Sequence, residues 1–168
     1  IELIKLIPKE VKVKDLLSIH KPIARQLILT AKAMEGGESL IKMCHTSDIP
    51  MALVTSSSSE SFQIKTAPHK WINLLNVIVL GDDNLLAKGK PAPDPYLLAA
   101  QKLNIAPEEC WAVEDSISGA SSALDAGCFV FFLKDKRDEL PKKEVIDQHI
   151  NLKQISHLKE IEQILNEC

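Results

Sequence analysis

Short apolar runs alternate along the chain with segments in which apolar positions recur at helical spacing. Four runs are apolar throughout, at residues 51–54, 77–80, 110–113 and 129–133. Strands of this kind are typical of a sheet that is buried on both faces. Helices are predicted between them at residues 94–103, with Asp94 as N-cap and Pro95 at the first helical position, and at residues 116–126. The pattern predicts an α/β fold in which a mostly parallel sheet carries helices on both faces.

Helical periodicity also marks both ends of the chain. We predict helix over residues 1–34, with Asp15 as a capping residue and a kink or break at Pro22. The glycines at positions 36 and 37 are expected to end this zone. Five apolar positions predict one amphipathic C-terminal helix: Leu152, Ile155, Leu158, Ile161 and Leu165.

Composition limits the possible classes of function. The 168 residues are 45% hydrophobic and 26% charged, which is ordinary for a folded domain. No run approaches the roughly 18 apolar residues of a spanning helix, and a net charge of -3 does not suit a general nucleic-acid-binding surface. None of the four cysteines forms a Cys-x-x-Cys pair, and we expect no secretory signal. We expect a cytoplasmic protein without nucleic-acid or membrane partners; the oligomeric state stays open, with a monomer favoured.

Polar residues gather where the predicted strands end. The first strand is followed by residues 55–59, which are all Thr or Ser, and the second by Asp82, Asp83 and then Lys90. Glu114 and Asp115 follow the third strand. In an open parallel sheet, ligands bind beyond the carboxyl ends of the strands. Hydroxyls, a lysine and a carboxylate pair at that edge suit phosphate chemistry with a divalent cation such as Mg²⁺.

Each of these features also has a purely structural interpretation. Residues 55–59 suit a solvated polar loop, and Lys90 a surface position. The acidic pair at 114 and 115 suits the N-terminus of a helix, where negative charge offsets the helix dipole. Asp82 and Asp83 suit a turn. Taken one at a time, the residues leave both interpretations open.

The order and spacing of three motifs add a family resemblance. The motifs are Ala-Leu-Val-Thr-Ser at 52–56, Lys-Pro-Ala-Pro-Asp-Pro-Tyr at 90–96, and Trp-Ala-Val-Glu-Asp-Ser-x-x-Gly-Ala at 111–120. Together they resemble the haloacid dehalogenase-like hydrolase superfamily, in particular its phosphatase and β-phosphoglucomutase-like branch with a helical cap. The resemblance covers residues 36 to 133. It implies a Rossmann-like core at 36–168 that lacks its first strand, preceded at 1–35 by the C-terminal part of the cap.

The resemblance also implies a role for each site residue. Thr55 is the hydroxyl that binds the transferring phosphoryl group, and Lys90 is the catalytic lysine between phosphoryl oxygens and the attacking carboxylate. Asp115 is the Mg²⁺ ligand, with Glu114 as a further ligand or as its partner. The loop supplies further phosphate-binding amides or hydroxyls at Ser56 and Ser57. Asp94 is expected to cap a helix and to take no part in catalysis.

The family's nucleophile is missing from the sequence. That nucleophile is the first aspartate of an Asp-x-Asp-x-Thr/Ser segment, and none of the aspartates of this chain begins such a segment. We therefore expect the attacking aspartate outside these 168 residues. We also expect either a gap in the sheet with two exposed strand edges, or strands that have closed up.

The leading expectation is a Mg²⁺-dependent phosphohydrolase acting on a small phosphorylated metabolite through an aspartyl-phosphate. A phosphomutase of the β-phosphoglucomutase type is the alternative within the family. A non-catalytic relative that binds phosphate or a partner protein is a second alternative, in which the nucleophile is truly lost. A response-regulator receiver does not fit, because its acidic pair precedes its threonine and lysine, whereas 114–115 follows both here.

Overall fold

The computed structural model describes residues 13–29, 32–133 and 150–167. Of the helix predicted at residues 1–34, positions 1–12 and 30–31 lie outside this part of the chain, as does Cys168. The described residues 13–29 are helical, whereas 32–34 are not. Two 3₁₀ helices, Lys70–Leu74 and Pro107–Glu109, connect regular elements. The regular elements in chain order are α1 (Val13–Leu29), α2 (Gly37–Thr46), β1 (Ala52–Val54), α3 (Ser59–Thr66), β2 (Val77–Val79), α4 (Asp94–Leu103), β3 (Trp111–Glu114), α5 (Ile117–Ala126), β4 (Phe129–Leu133), β5 (Leu152–Ile155) and α6 (Lys159–Glu167).

All strand pairs in the described residues are parallel, which confirms the predicted α/β fold. β1 pairs with β2, and a separate sheet has the order β3-β4-β5. Within these described ranges, β1 pairs only with β2 and β3 pairs only with β4. One edge of β1 and one edge of β3 therefore lack a strand partner here, in line with the expected gap.

Both faces of the three-stranded sheet carry helices. On one face, Ala120, Ala123 and Ala126 of α5 pack against Val130 and Phe132 of β4. On the other face, a second cluster joins Phe131 of the sheet to Leu158 and Ile161 near and within α6. The small residues of α5 allow the helix to lie close to the strands, because alanine adds little volume beyond the backbone.

Local signals fix several helix ends. The Ser116 hydroxyl accepts a hydrogen bond from the Gly119 amide at 3.0 Å and so caps α5. Gly127, in the left-handed conformation, ends that helix. Gly36 is also left-handed, but it lies directly before α2, so the two glycines open a helix instead of ending one. Pro22 lies inside α1.

Three further local predictions are wrong. Residues 152–155 form β5 and not the first turn of one long C-terminal helix, because pairing with β4 satisfies their backbone groups. Asp94 is the first residue of α4, with Pro93 before it as the N-cap, and its side chain makes no capping hydrogen bond. β3 alternates between exposed and buried residues instead of being buried on both faces; Trp111 is 45% exposed.

The sequence pattern does not predict helix α3, because its segment carries no apolar periodicity. Ser58 caps it by accepting a hydrogen bond from the Ser61 amide. None of the helices in the described ranges is long and apolar enough to cross a membrane.

Candidate active site

The candidate site lies where β1 and β3 end. Thr55 follows β1 directly, and its amide donates to the Val79 carbonyl of β2 at 3.0 Å. Glu114 is the last residue of β3. Lys90, in the connection between β2 and α4, reaches both strands. It donates to the carbonyl oxygen of Val54 at 3.1 Å and to the carboxylate of Glu114.

Glu114 is the centre of a buried polar cluster. Its Oε1 accepts hydrogen bonds from the Lys90 ammonium and the Tyr96 hydroxyl, and its Oε2 accepts one from Ser116 at 3.3 Å. Gly119 makes room for it, because a Cβ at that position would overlap the carboxylate. With both oxygens engaged, Glu114 is held in one position and in turn holds Lys90.

Tyr96 supports the lysine in two ways. Its hydroxyl donates to Glu114, and the Lys90 ammonium lies 5.0 Å from the centre of its ring, within reach of a cation–π interaction. Burial, and then the nearby Glu114 charge, raise the pKa of Tyr96 above its ordinary value. The hydroxyl therefore keeps its proton at neutral pH and acts as a donor.

The loop at residues 55–59, named here the hydroxyl loop, is internally bonded. The Ser57 amide donates to the Thr55 hydroxyl at 3.1 Å, and Lys65 of α3 donates to the Ser57 hydroxyl at 2.8 Å. The loop runs into the N-terminus of α3, where backbone N–H groups favour negative ligands. The hydroxyl loop and α3 thus bring threonine and serine hydroxyls together with the ammonium of Lys65.

A second loop, residues 81–83, lies against the hydroxyl loop and is named here the acidic turn. Asp82 accepts hydrogen bonds from Ser59, whose backbone N–H lowers the pKa of the Asp82 carboxyl. Asp83 faces the other way and forms an ion pair with Lys102 of α4 at 2.8 Å; that hydrogen bond lowers the pKa of Asp83. The turn thus links the hydroxyl loop to α4.

The structure brings together some of the residues expected at the site. Lys90 and Glu114 are in contact, and Thr55 directly follows the Val54 carbonyl that Lys90 reaches. Asp115 is exposed beside Glu114. The loop serines differ in burial, because Ser57 is half-buried whereas Ser56 is exposed.

The structure adds two residues to the site, Tyr96 and Lys65. Tyr96 was visible in the sequence as the last residue of the Lys-Pro-Ala-Pro-Asp-Pro-Tyr motif. Lys65 gave no local signal. In the described part of the chain, no group of three or more His, Cys, Asp or Glu side chains is arranged to hold a metal ion. Asp115 offers one exposed carboxylate at a strand end, a donor of the type that Mg²⁺ prefers.

Comparison with known proteins decides the family. Residues 2–133 match the sequence profile of the haloacid dehalogenase-like hydrolases. This chain belongs to the haloacid dehalogenase-like hydrolase family. The motif-based resemblance is therefore confirmed, and so is the α/β fold class that it implied.

Curated relatives of this haloacid dehalogenase-like hydrolase include phosphatases. (DL)-glycerol-3-phosphatase 2 of Arabidopsis thaliana is 33% identical over 141 residues, covering 82% of this chain and 59% of that protein. Hexitol phosphatase A of Escherichia coli is 36% identical over 129 residues, covering 76% of this chain and 58% of that protein. The chain thus spans less than two thirds of the length of these relatives.

Solved structures agree with the fold of this haloacid dehalogenase-like hydrolase. A family IA hydrolase from Entamoeba histolytica superposes with a TM-score of 0.74 at 26% identity, covering 94% of this chain and 73% of that one. A protein from Thermotoga maritima superposes with a TM-score of 0.81 at 22% identity, covering 98% and 74%, and supports the fold alone.

Proposed function

We propose that the protein containing this chain is a Mg²⁺-dependent phosphatase for a small phosphorylated metabolite. The observation that carries the proposal is the position of Lys90, whose ammonium bridges the ends of β1 and β3 beside Thr55. A positive charge next to a hydroxyl, at the carboxyl edge of a parallel sheet, suits a transferring phosphoryl group. The curated phosphatase relatives point to the same chemistry.

In this proposal Lys90 stabilises charge and does not move a proton. Glu114 keeps the ammonium in place, and the Val54 carbonyl takes one of its hydrogens. A lysine has three N–H donors, so one stays available for a phosphoryl oxygen. The Thr55 hydroxyl, the Ser56 amide and the Ser57 hydroxyl would donate hydrogen bonds to the remaining oxygens of the group.

Asp115 is the residue proposed to hold Mg²⁺. Its carboxylate is exposed at the end of β3, whereas that of Glu114 already accepts from Lys90, Tyr96 and Ser116. We therefore propose that Glu114 positions Lys90 and does not itself bind the metal. A bound Mg²⁺ would neutralise charge on the phosphoryl oxygens. The other ligands would come from outside the described residues.

The attacking group is proposed to be an aspartate outside these 168 residues. Its carboxylate would bond to phosphorus while the ester bond to the leaving alcohol breaks, and water would then release phosphate from the aspartyl-phosphate. We also propose that α1 belongs to a helical cap at residues 1–35 and that 36–168 form the core. Because the curated relatives are phosphatases, hydrolysis is preferred over return of the phosphoryl group to a sugar.

A screen tests the proposal. The whole protein, incubated with a panel of small phosphate monoesters, should release inorganic phosphate with Mg²⁺ and not with a chelator. The matched control is Lys90→Met, which keeps the length and apolar stem of the side chain but removes the charge. Phosphate release that is equal in both proteins would place the activity elsewhere. No release from any ester by the wild type would contradict the proposed function.

A further inference from the structure

The hydroxyl loop is held from outside by one carboxylate. The backbone N–H of Ser59 donates to both oxygens of Asp82, at 2.9 Å each, and the Ser59 hydroxyl donates to Oδ1 of Asp82 at 3.1 Å. The Gly81 amide donates to the Ser57 carbonyl at 2.9 Å. Residues of the acidic turn therefore bond to the loop at both Ser57 and Ser59.

The close approach of the two loops requires a glycine. A Cβ on Gly81 would overlap the carbonyl oxygen of Ser56. With glycine there, the backbones of the two loops touch directly, and the Ser57 carbonyl comes within reach of the Gly81 amide. The contact is therefore built into the backbone as well as into the Asp82 side chain.

Asp82 and Asp83 are adjacent but bind different neighbours, and only Asp82 contacts the hydroxyl loop. Asp82 binds the first residue of α3, whose amide has no partner within its own helix. Asp83 binds the Leu85 amide at 3.0 Å and pairs with Lys102 on α4. Two aspartates of equal charge in the same turn therefore act on opposite neighbours.

The charge of Asp82 alone would oppose phosphate binding at the neighbouring loop. A carboxylate near a bound anion raises the energy of that anion. The Ser59 hydrogen bonds lower the pKa of Asp82, so this carboxyl is ionised at neutral pH. A charge-assisted hydrogen bond is stronger than a neutral one and gives the loop one defined shape. The fixed geometry of the hydroxyl loop would therefore offset the repulsion between Asp82 and a bound phosphate.

We propose that Asp82 is a positioning residue for phosphate: by holding Ser59 it fixes the hydroxyl loop in the shape in which Thr55 and the loop amides meet the phosphoryl group. This inference rests on the proposed phosphatase function. Asp82 does not touch the phosphoryl group and acts through the loop.

The test compares four forms of the whole protein: wild type, Asp82→Ala, Asp82→Asn and the control Asp83→Asn. Asp82→Asn keeps an oxygen that can accept from the Ser59 amide, whereas Asp82→Ala keeps none. Asp83→Asn removes the same charge from the same turn without changing the contact with Ser59. Steady-state hydrolysis of p-nitrophenyl phosphate, inhibition by inorganic phosphate, and the Mg²⁺ concentration for half-activation are measured for each form.

Asp82→Ala is expected to raise both KM and the inhibition constant of inorganic phosphate about tenfold, while kcat changes less than about threefold. Asp82→Asn should restore most of the affinity, and Asp83→Asn should stay within about threefold of the wild type. The Mg²⁺ requirement should be the same in all four forms. Faster amide exchange at Ser59 in Asp82→Ala would support the loss of the loop contact.

Three outcomes count against the proposal. If both Asp82 variants bind phosphate more tightly, Asp82 acts as a repelling charge and does not position the loop. If the wild type is active and Asp82→Ala behaves like Asp83→Asn, the positioning role of Asp82 is rejected while the proposed phosphatase function stands. If the wild type hydrolyses no phosphate ester, the proposed function fails, and the positioning role fails with it.

Discussion

Lys90 and Glu114 form an ion pair in which the two side chains are only 10% and 7% exposed. An isolated charge at such a depth is costly, whereas a paired and hydrogen-bonded one is tolerated. Glu114 also accepts hydrogen bonds from the hydroxyls of Tyr96 and Ser116, so both of its carboxylate oxygens have partners within the protein. The pair therefore fixes a cation where β1 and β3 end. Lys90 and Glu114 are 24 positions apart in the sequence.

Lys90→Met should lower kcat of the whole protein by about 10²- to 10³-fold, comparable to the loss of one oxyanion-hole donor. It should also lower the melting temperature, because Glu114 is left as a buried carboxylate without its cation. The double variant Lys90→Met/Glu114→Gln should recover part of the stability and none of the activity. Activity within twofold of the wild type would remove Lys90 from the site.

Tyr96→Phe separates the hydroxyl from the ring. The ring stays over the Lys90 ammonium, but Glu114 loses one donor. A net hydrogen bond to a charged group contributes about 1.5–3 kcal/mol, so the free energy of unfolding should fall by about that amount. The kcat should fall less than in Lys90→Met, since the charge remains. Chemical denaturation and steady-state kinetics measure the two effects, and unchanged stability would contradict the contact.

Stability at alkaline pH should depend on Tyr96, the only tyrosine in the sequence. Its pKa is raised in the folded protein, so above about pH 10 the unfolded chain loses a proton that the folded chain keeps. The free energy of unfolding should therefore decline as the pH rises above that value. The decline should be less steep in Tyr96→Phe. Equal slopes in both proteins would contradict the raised pKa.

Asp115→Ala should weaken Mg²⁺ binding to the whole protein about tenfold or more, because it removes a charged oxygen ligand. Asp125→Ala is the matched control, since it removes an exposed carboxylate from α5, away from the strand end. Isothermal titration with Mg²⁺ alone measures the affinity without any substrate. Equal affinities in the two variants would rule out Asp115 as a ligand.

Residues 1–168 expressed alone should show no phosphatase turnover. The chain holds the hydroxyl loop and Lys90 but no Asp-x-Asp-x-Thr/Ser segment to supply the attacking carboxylate. Assays with p-nitrophenyl phosphate and Mg²⁺, with the whole protein as positive control, measure this directly. Mg²⁺-dependent hydrolysis by the 168 residues would show a nucleophile within them, and Asp82 and Asp83 would be the first to replace.

Local sequence patterns predicted much of the fold. The run 129–133 predicted β4 with its bounds, and the segment 94–103 predicted α4. The segment 116–126 predicted α5, whose ends are fixed locally, because the Ser116 cap and the left-handed Gly127 act within one turn of backbone. Such signals are read correctly because the interactions behind them join residues only a few positions apart.

The tertiary structure decided the rest. The apolar spacing at 152–155 also fits a helix, and only the free edge of β4 made it a strand. The contacts that build the candidate site join residues far apart in the chain: Lys90 to Val54 across 36 positions, Asp82 to Ser59 across 23, and Tyr96 to Glu114 across 18. The motifs identified which residues belong together, but partners and burial arise only when the strands align their carboxyl ends, because hydrogen bonds and ion pairs depend on distance in space and not on position in sequence.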